Sequence, residues 1–182
     1  MSADPEQVLD FWFSADTRPF WFRSTPEFDA RLRERFLDVW QAAARGELEA
    51  WNTTPEGALA LVIILDQFPL NMFRGQAESF STEALSREVA HKAIDRGWDR
   101  DLDDAGRAFL YLPFMHSEAR DDQERSVQLF RDADLVDNLR WAEHHREIIQ
   151  RFGRFPHRNA ALGRESSGEE LEWLASKGAF RG

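Results

Sequence analysis

Apolar side chains recur at intervals of three and four residues along most of the chain, which is the spacing of one face of an α-helix. The runs that follow this spacing lie around residues 28–40, 85–93, 112–115, 127–130 and 142–152. No segment sustains the apolar–polar alternation that is typical of a strand. We therefore predict an all-α fold with seven to nine helices and essentially no sheet.

Helix starts are marked by a repeated local signal. Asp4, Thr25 and Thr54 are each followed by proline and glutamate. The side-chain oxygen can cap free backbone N–H groups, proline suits the first turn, and glutamate meets the positive end of the helix dipole. Ser167 and Glu170 have the spacing of a capping box and predict the start of the last helix.

Length and charge narrow the class of protein. The chain has 182 residues, a formal net charge of -10 and no cysteine. We expect one domain over residues 1–182 and a cytoplasmic location, because thiols and disulfides are absent and neither a secretory signal nor a membrane span is visible. The negative charge argues against nucleic acid as a partner. The sequence does not predict an oligomeric state.

Familiar catalytic motifs are missing from the sequence, including the phosphate loop, the dinucleotide fingerprint, the nucleophile elbow and the zinc-protease motif. We therefore predict neither a metal nor a cofactor. Three other segments carry candidate chemistry.

The first segment is residues 66–75, which follow the most apolar helix. Asp66 is expected where the chain leaves the core, with Pro69 turning it away. Arg74 is the nearest cation in sequence, so an ion pair that braces the loop is the alternative to a functional carboxylate.

The second segment is residues 111–118. His116 lies one turn after Leu112, and Ser117 and Glu118 follow it as groups that could orient the ring. His145 also falls on an apolar helix face, near Ala142 and Ile149. Each of these histidines is either a core residue with satisfied hydrogen bonds or part of a site.

The third segment, residues 151–164, is called the arginine strip here. It holds four arginines, one histidine and no acid. Gly153 and Pro156 are expected to end the preceding helix, which places Arg154, His157 and Arg158 in a short kinked segment. Arginine binds carboxylate or phosphate through two parallel hydrogen bonds, so the strip suits an anion. Alternatively, the arginines cap helix ends or pair with Asp66, Glu118 and other acids.

Four stretches together resemble the bacterial domain-of-unknown-function 924 family: VLDFWF (8–13), LDQFPLNMFRG (65–75), FLYLPFMHSE (109–118) and HREIIQRFGRFPHRNAALGR (145–164). The resemblance implies helices stacked as antiparallel hairpins, like the α-α superhelix of tetratricopeptide-repeat proteins, and no established activity. At Leu70 the chain departs from the family pattern, in which a basic residue usually follows the proline. The resemblance points to the following residues as candidate site positions: Asp66, Gln67, Asn71, Arg74, His116, Ser117, Glu118, His145, Gly153, Arg154, His157, Arg158, Asn159 and Arg164.

The leading hypothesis is that seven of these residues converge on one cleft between helices that binds a small anionic molecule: Asp66, Arg74, His116, Arg154, His157, Arg158 and Asn159. Ligand contacts are expected from Arg74, Asn71, Arg154, Arg158, Asn159, Arg164 and His145. If a reaction follows, we expect metal-independent hydrolysis or isomerisation, with His116 or His157 paired to Glu118 or Asp66. The rival hypotheses are a tetratricopeptide-like module that binds an acidic peptide, and a buried polar network with a purely structural role.

Overall fold

The computed structural model describes residues 4–176, 178 and 179, and within them the chain is helical without a strand. This confirms the predicted all-α class. The α-helices are α1 Pro5–Trp12, α2 Pro26–Ala44, α3 Pro55–Val62, α4 Phe68–Met72, α5 Glu83–Asp95, α6 Asp104–Met115, α7 Arg120–Asp132, α8 Val136–Phe152 and α9 Gly168–Ala175. The tetratricopeptide-like stacking and the single domain over 1–182 stay predictions, and residues 1–3, 177 and 180–182 lie outside the described residues.

The predicted helix starts are confirmed in detail. The side chains of Asp4, Thr25 and Thr54 each accept a hydrogen bond from a backbone N–H in the first turn. Ser167 and Glu170 form the reciprocal capping box at the start of α9. Gly153 ends α8 with a φ of 71°, a left-handed conformation that glycine adopts without steric cost.

One local prediction is wrong: residues 66–72 do not turn away from the preceding helix. A π-helical turn, Ile63–Gln67, joins α3 to α4, and Pro69 lies in the first turn of α4. Proline has no N–H to give to the Leu65 carbonyl, which accepts a hydrogen bond from the Thr82 hydroxyl instead (2.6 Å). The helix therefore continues through the proline. Pro113, similarly, lies inside α6.

The described chain divides into two compact units. Unit 1 comprises residues up to 74 and residues 78–113, and unit 2 comprises residues 75–77 and those from 114 onwards. The core of unit 1 is rich in aromatic rings: Trp12 contacts both Phe68 and Phe109, with centroids 5.6 Å apart in each pair. All three side chains are fully buried or nearly so.

In unit 2, α7 and α8 form an antiparallel hairpin. Arg131 at the end of α7 donates to Glu143 in the middle of α8, whereas Glu124 nearer the start of α7 accepts from Arg146, one turn farther along α8. Ile149 of α8 and Phe155, which follows this helix, belong to a buried cluster against which Trp173 of α9 packs. This arrangement fixes the arginine strip between α8 and α9.

Candidate functional site

Most of the predicted site residues belong to unit 2, where residues 114–119 and the arginine strip lie together. The connection after α6 is held by Gln123 of α7, whose amide donates to the carbonyls of Met115 (2.8 Å) and Ser117 (2.6 Å). The Ser117 hydroxyl donates to Asp122 (2.5 Å). These bonds fix the backbone from which His116 and Glu118 project.

Glu118 is bound on both carboxylate oxygens. Arg164 donates to them through Nη1 (2.8 Å) and Nη2 (2.9 Å), and the Phe155 backbone N–H donates to Oε1 (2.8 Å). Burial by itself raises the pKa of Glu118, but the hydrogen bonds from Arg164 and Phe155 outweigh burial, so that the pKa lies below its usual value. Glu118 is therefore an ionised anchor that ties Arg164 to the loop after α6.

A second bidentate pair joins the arginine strip to α9. Arg154 donates to Glu170 through Nε (2.7 Å) and Nη2 (2.9 Å), and its Nη2 also donates to the Glu165 carbonyl (2.8 Å). The hydrogen bonds from Arg154 are the main reason that the pKa of Glu170 falls to about 2. Glu170 also accepts the Ser167 N–H of the capping box (2.7 Å).

Asn159 connects the two pairs. Its side-chain oxygen accepts from Arg164 Nε (2.9 Å), and its amide donates to Ser166 (3.1 Å) and Glu170 (3.3 Å). We call this connected group of five residues the frame: Glu118, Arg164, Asn159, Arg154 and Glu170. Within the frame each guanidinium meets a carboxylate, so positive and negative charges balance.

A different group of side chains gathers around the buried ring of Phe155. The His145 and His157 rings lie with centroids 5.5 Å and 5.6 Å from it, and the Arg158 guanidinium carbon lies 4.7 Å above it. Arg158 also donates to the His116 carbonyl (2.9 Å). His116, His145, His157 and Arg158 are called the histidine–arginine cluster here.

Two rings of this cluster are neutral at physiological pH. Burial, followed by the charge of the neighbouring His116, lowers the pKa of His145 to about 3. Burial, followed by the charge of Arg158, lowers the pKa of His157 to about 3. His145 Nδ1 lies 2.8 Å from the Trp141 carbonyl. A carbonyl only accepts, so Nδ1 carries the proton and Nε2 is an acceptor.

The remaining predicted residues, Asp66, Gln67, Asn71 and Arg74, belong to unit 1. Asp66 is 1% exposed and accepts a hydrogen bond from the Gln67 amide (2.6 Å). Asn71 (2.7 Å) and Arg74 (2.9 Å) both donate to Asp29. The expectation that these residues share a cleft with the histidine–arginine cluster stays a prediction.

Sequence reasoning missed three residues that organise these groups. Asp29 is not marked out by any pattern in the sequence, and Glu170 was predicted only as part of a helix cap. Phe155 gave no signal beyond its apolar character. Pairing between segments far apart in sequence leaves no periodic pattern, so the partners of Arg74 and Arg154 were visible only in the fold.

Among the described residues, no helix is both long and apolar enough to cross a membrane.

Comparisons with known proteins place the chain among relatives without an assigned function. The profile of a family described as "Bacterial protein of unknown function (DUF924)" matches residues 8–178. A solved structure of the protein of unknown function ATU0120 from Agrobacterium tumefaciens is 42% identical, covers 94% of this chain and 96% of that chain, and has a TM-score of 0.89. A search of curated proteins finds none that matches.

Proposed function

The chain belongs to the bacterial family of unknown function DUF924, and from its own residues we propose that it binds a small anion at the histidine–arginine cluster. The observation that carries the proposal is the convergence of two histidine rings and a guanidinium on the Phe155 ring, with the His116 carbonyl on the same guanidinium. A guanidinium with neutral imidazoles nearby offers charge and hydrogen bonds to a carboxylate or phosphate.

The frame has a supporting role in this proposal. Arg154 and Arg164 each hold a carboxylate of the chain through two hydrogen bonds, so the structural-network hypothesis describes these two residues well. We assign them, with Asn159, to positioning the arginine strip. Arg158, His145, His157 and His116 are then the residues that contact the anion.

The geometry favours binding over acid–base catalysis. A proton carrier works best when its pKa lies near the working pH, and the pKa of His157 is about 3. Glu118 is occupied by Arg164 and the Phe155 N–H, so it is not placed to serve a histidine as a base. The predicted hydrolase or isomerase chemistry therefore has less support than anion binding.

A thermal-shift series tests the proposal. The probes are inorganic phosphate, sulfate, acetate and succinate, each compared with sodium chloride at equal ionic strength. A specific anion stabilises the folded state by mass action, so the melting temperature should rise steadily with the logarithm of its concentration. The His157→Gln and Arg158→Lys variants should lose this rise.

The matched control is Arg151→Gln. Arg151 belongs to the same strip but is exposed and paired with Glu169 on α9, so this variant should keep the rise. The proposal fails if no anion exceeds the chloride control, or if both cluster variants respond like the wild type. If an acidic peptide raises the melting temperature while the small anions do not, the proposal of a small-anion site is replaced by that of a helical module that binds acidic peptides.

A further inference from the structure

Unit 1 presents an exposed aromatic side chain between two arginines. Residues 18–23, RPFWFR, form the connection between α1 and α2 and are called the aromatic loop here. Phe22 is 73% exposed, the largest value among the exposed large apolar side chains described. Arg18 and Arg23 on either side of it are also exposed. The loop thus exposes one face of an aromatic ring, which stacks on Phe109 with centroids 6.3 Å apart, together with two guanidinium groups on a protein of net charge -10.

The rest of the aromatic loop is anchored. Trp21 Nε1 donates to the Trp12 carbonyl (2.9 Å), and the Phe20 ring stacks on Phe28 with centroids 4.8 Å apart. Arg18 Nε donates to the Phe13 carbonyl (3.0 Å). Phe22 is therefore presented by a fixed backbone, and little conformational entropy would be lost when a partner covers it.

A depression of about 380 Å³ adjoins the loop, because Arg18 of the loop lines it together with Phe13, whose carbonyl accepts the Arg18 hydrogen bond. Its apolar lining consists of three leucines and Phe13. Its charged lining consists of one guanidinium and four exposed carboxylates, those of Asp10, Glu56, Asp101 and Asp103. This acidic depression is complementary to the loop in both charge and polarity: it can receive an aromatic ring that is flanked by a cation.

We propose that two copies of the chain associate through this face, with Phe22 of each copy entering the acidic depression of the other. Arg23 of one copy then lies against the carboxylates of the second copy. The loop and the depression are neighbours on one surface, so a two-fold axis between two copies satisfies both at once. A second copy supplies the required aromatic ring, cation and carboxylates without any further partner. This inference does not depend on the anion site.

The oligomeric state of the full chain tests the proposal. Sedimentation equilibrium over a dilution series should show a monomer–dimer equilibrium for the wild type. Phe22→Ala should raise the dimer dissociation constant at least about 30-fold, as expected for a central aromatic contact. The control is Leu171→Ala on α9, because Leu171 is 58% exposed but belongs to unit 2. A wild type that stays monomeric, or a dimer unaffected by Phe22→Ala, overturns the proposal.

A charge exchange tests the pairing itself. Arg23→Asp and Asp101→Arg should each weaken the dimer about tenfold, and the double variant should recover most of the loss. Asp101 is preferred to Asp103, which caps α6 through the Gly106 N–H (2.7 Å), so that folding is not disturbed. Circular dichroism verifies that each variant is folded. A double variant no tighter than the single variants contradicts the proposed contact.

Discussion

The frame and the histidine–arginine cluster both draw residues from the arginine strip and from the loop after α6, yet the two groups differ in how the fold sets the charge of their side chains. In the frame, ionised carboxylates meet guanidinium groups, and the pKa values of Glu118 and Glu170 are lowered as a result. In the cluster, burial keeps His145 and His157 neutral. Two arginines of one basic segment are thus paired with carboxylates of the chain itself, whereas burial keeps the two neighbouring imidazoles uncharged.

The largest loss of stability is expected when the carboxylate of Glu118 in the frame is removed. Glu118→Gln removes the charge that faces Arg164 while keeping the shape of the side chain. Because both side chains of the pair are about a quarter exposed, we expect a loss of about 2 kcal/mol in the free energy of unfolding, between the values for exposed and buried pairs. Urea denaturation of the variant and the wild type measures it.

The matched control is Glu143→Gln on α8. Glu143 also pairs with an arginine, Arg131, but both side chains are about half exposed. Its loss should stay below about 1 kcal/mol. Equal losses at Glu118 and Glu143 would show that the frame is no more than a surface ion pair.

The frame and the histidine–arginine cluster are expected to lose stability over different ranges of acid pH. The folded pKa of His145 and His157 is lower than the ordinary 6.5, so the unfolded chain binds more protons and stability is lost as the pH falls from 6.5 towards about 3. Glu170, with a pKa lowered from 4.5 to about 2, contributes stability above pH 4.5 that is lost as the pH falls towards 2.

A His145→Gln variant tests the loss of stability that is expected between pH 6.5 and about 3. Removing one titrating ring should reduce the pH slope of the unfolding free energy below pH 6.5 by about 1.4 kcal/mol per pH unit. Urea denaturation at a series of pH values measures the slope. Above pH 6.5 the curves of the variant and the wild type should run parallel, which serves as the internal control. Parallel curves throughout would mean that His145 is not held neutral by the fold.

The smallest effect is expected at the helix cap that supports the frame. Ser167→Ala removes the capping hydroxyl of α9, so the unfolding free energy should fall by about 1 kcal/mol. Thr53→Ala is the control, because the exposed Thr53 hydroxyl donates only to the Ala50 carbonyl. Thermal denaturation of both variants compares them. A loss at Thr53 as large as that at Ser167 would contradict the capping role.

Sequence and structure agree best where the information is local. Capping oxygens, prolines and Gly153 act on their own helix, so the starts at Pro26 and Gly168 and the end of α8 were predictable. The continuous helix through Pro69 was not, because the group that compensates for the missing N–H is the distant Thr82. The composition of the arginine strip was compatible both with an outside anion and with pairing to Glu118 and other acids. It did not indicate which arginine pairs with which acid, namely Arg154 with Glu170 and Arg164 with Glu118.

The most direct test of the account follows the histidine rings themselves. Nuclear magnetic resonance of protein with isotope-labelled histidine, titrated at neutral pH with inorganic phosphate and then with succinate, reports on the cluster directly. We expect the ring signals of His145 and His157 to move along one saturable curve for at least one of the anions and to stay fixed in Arg158→Lys. Ring signals that remain unchanged for both anions in the wild-type protein would contradict it.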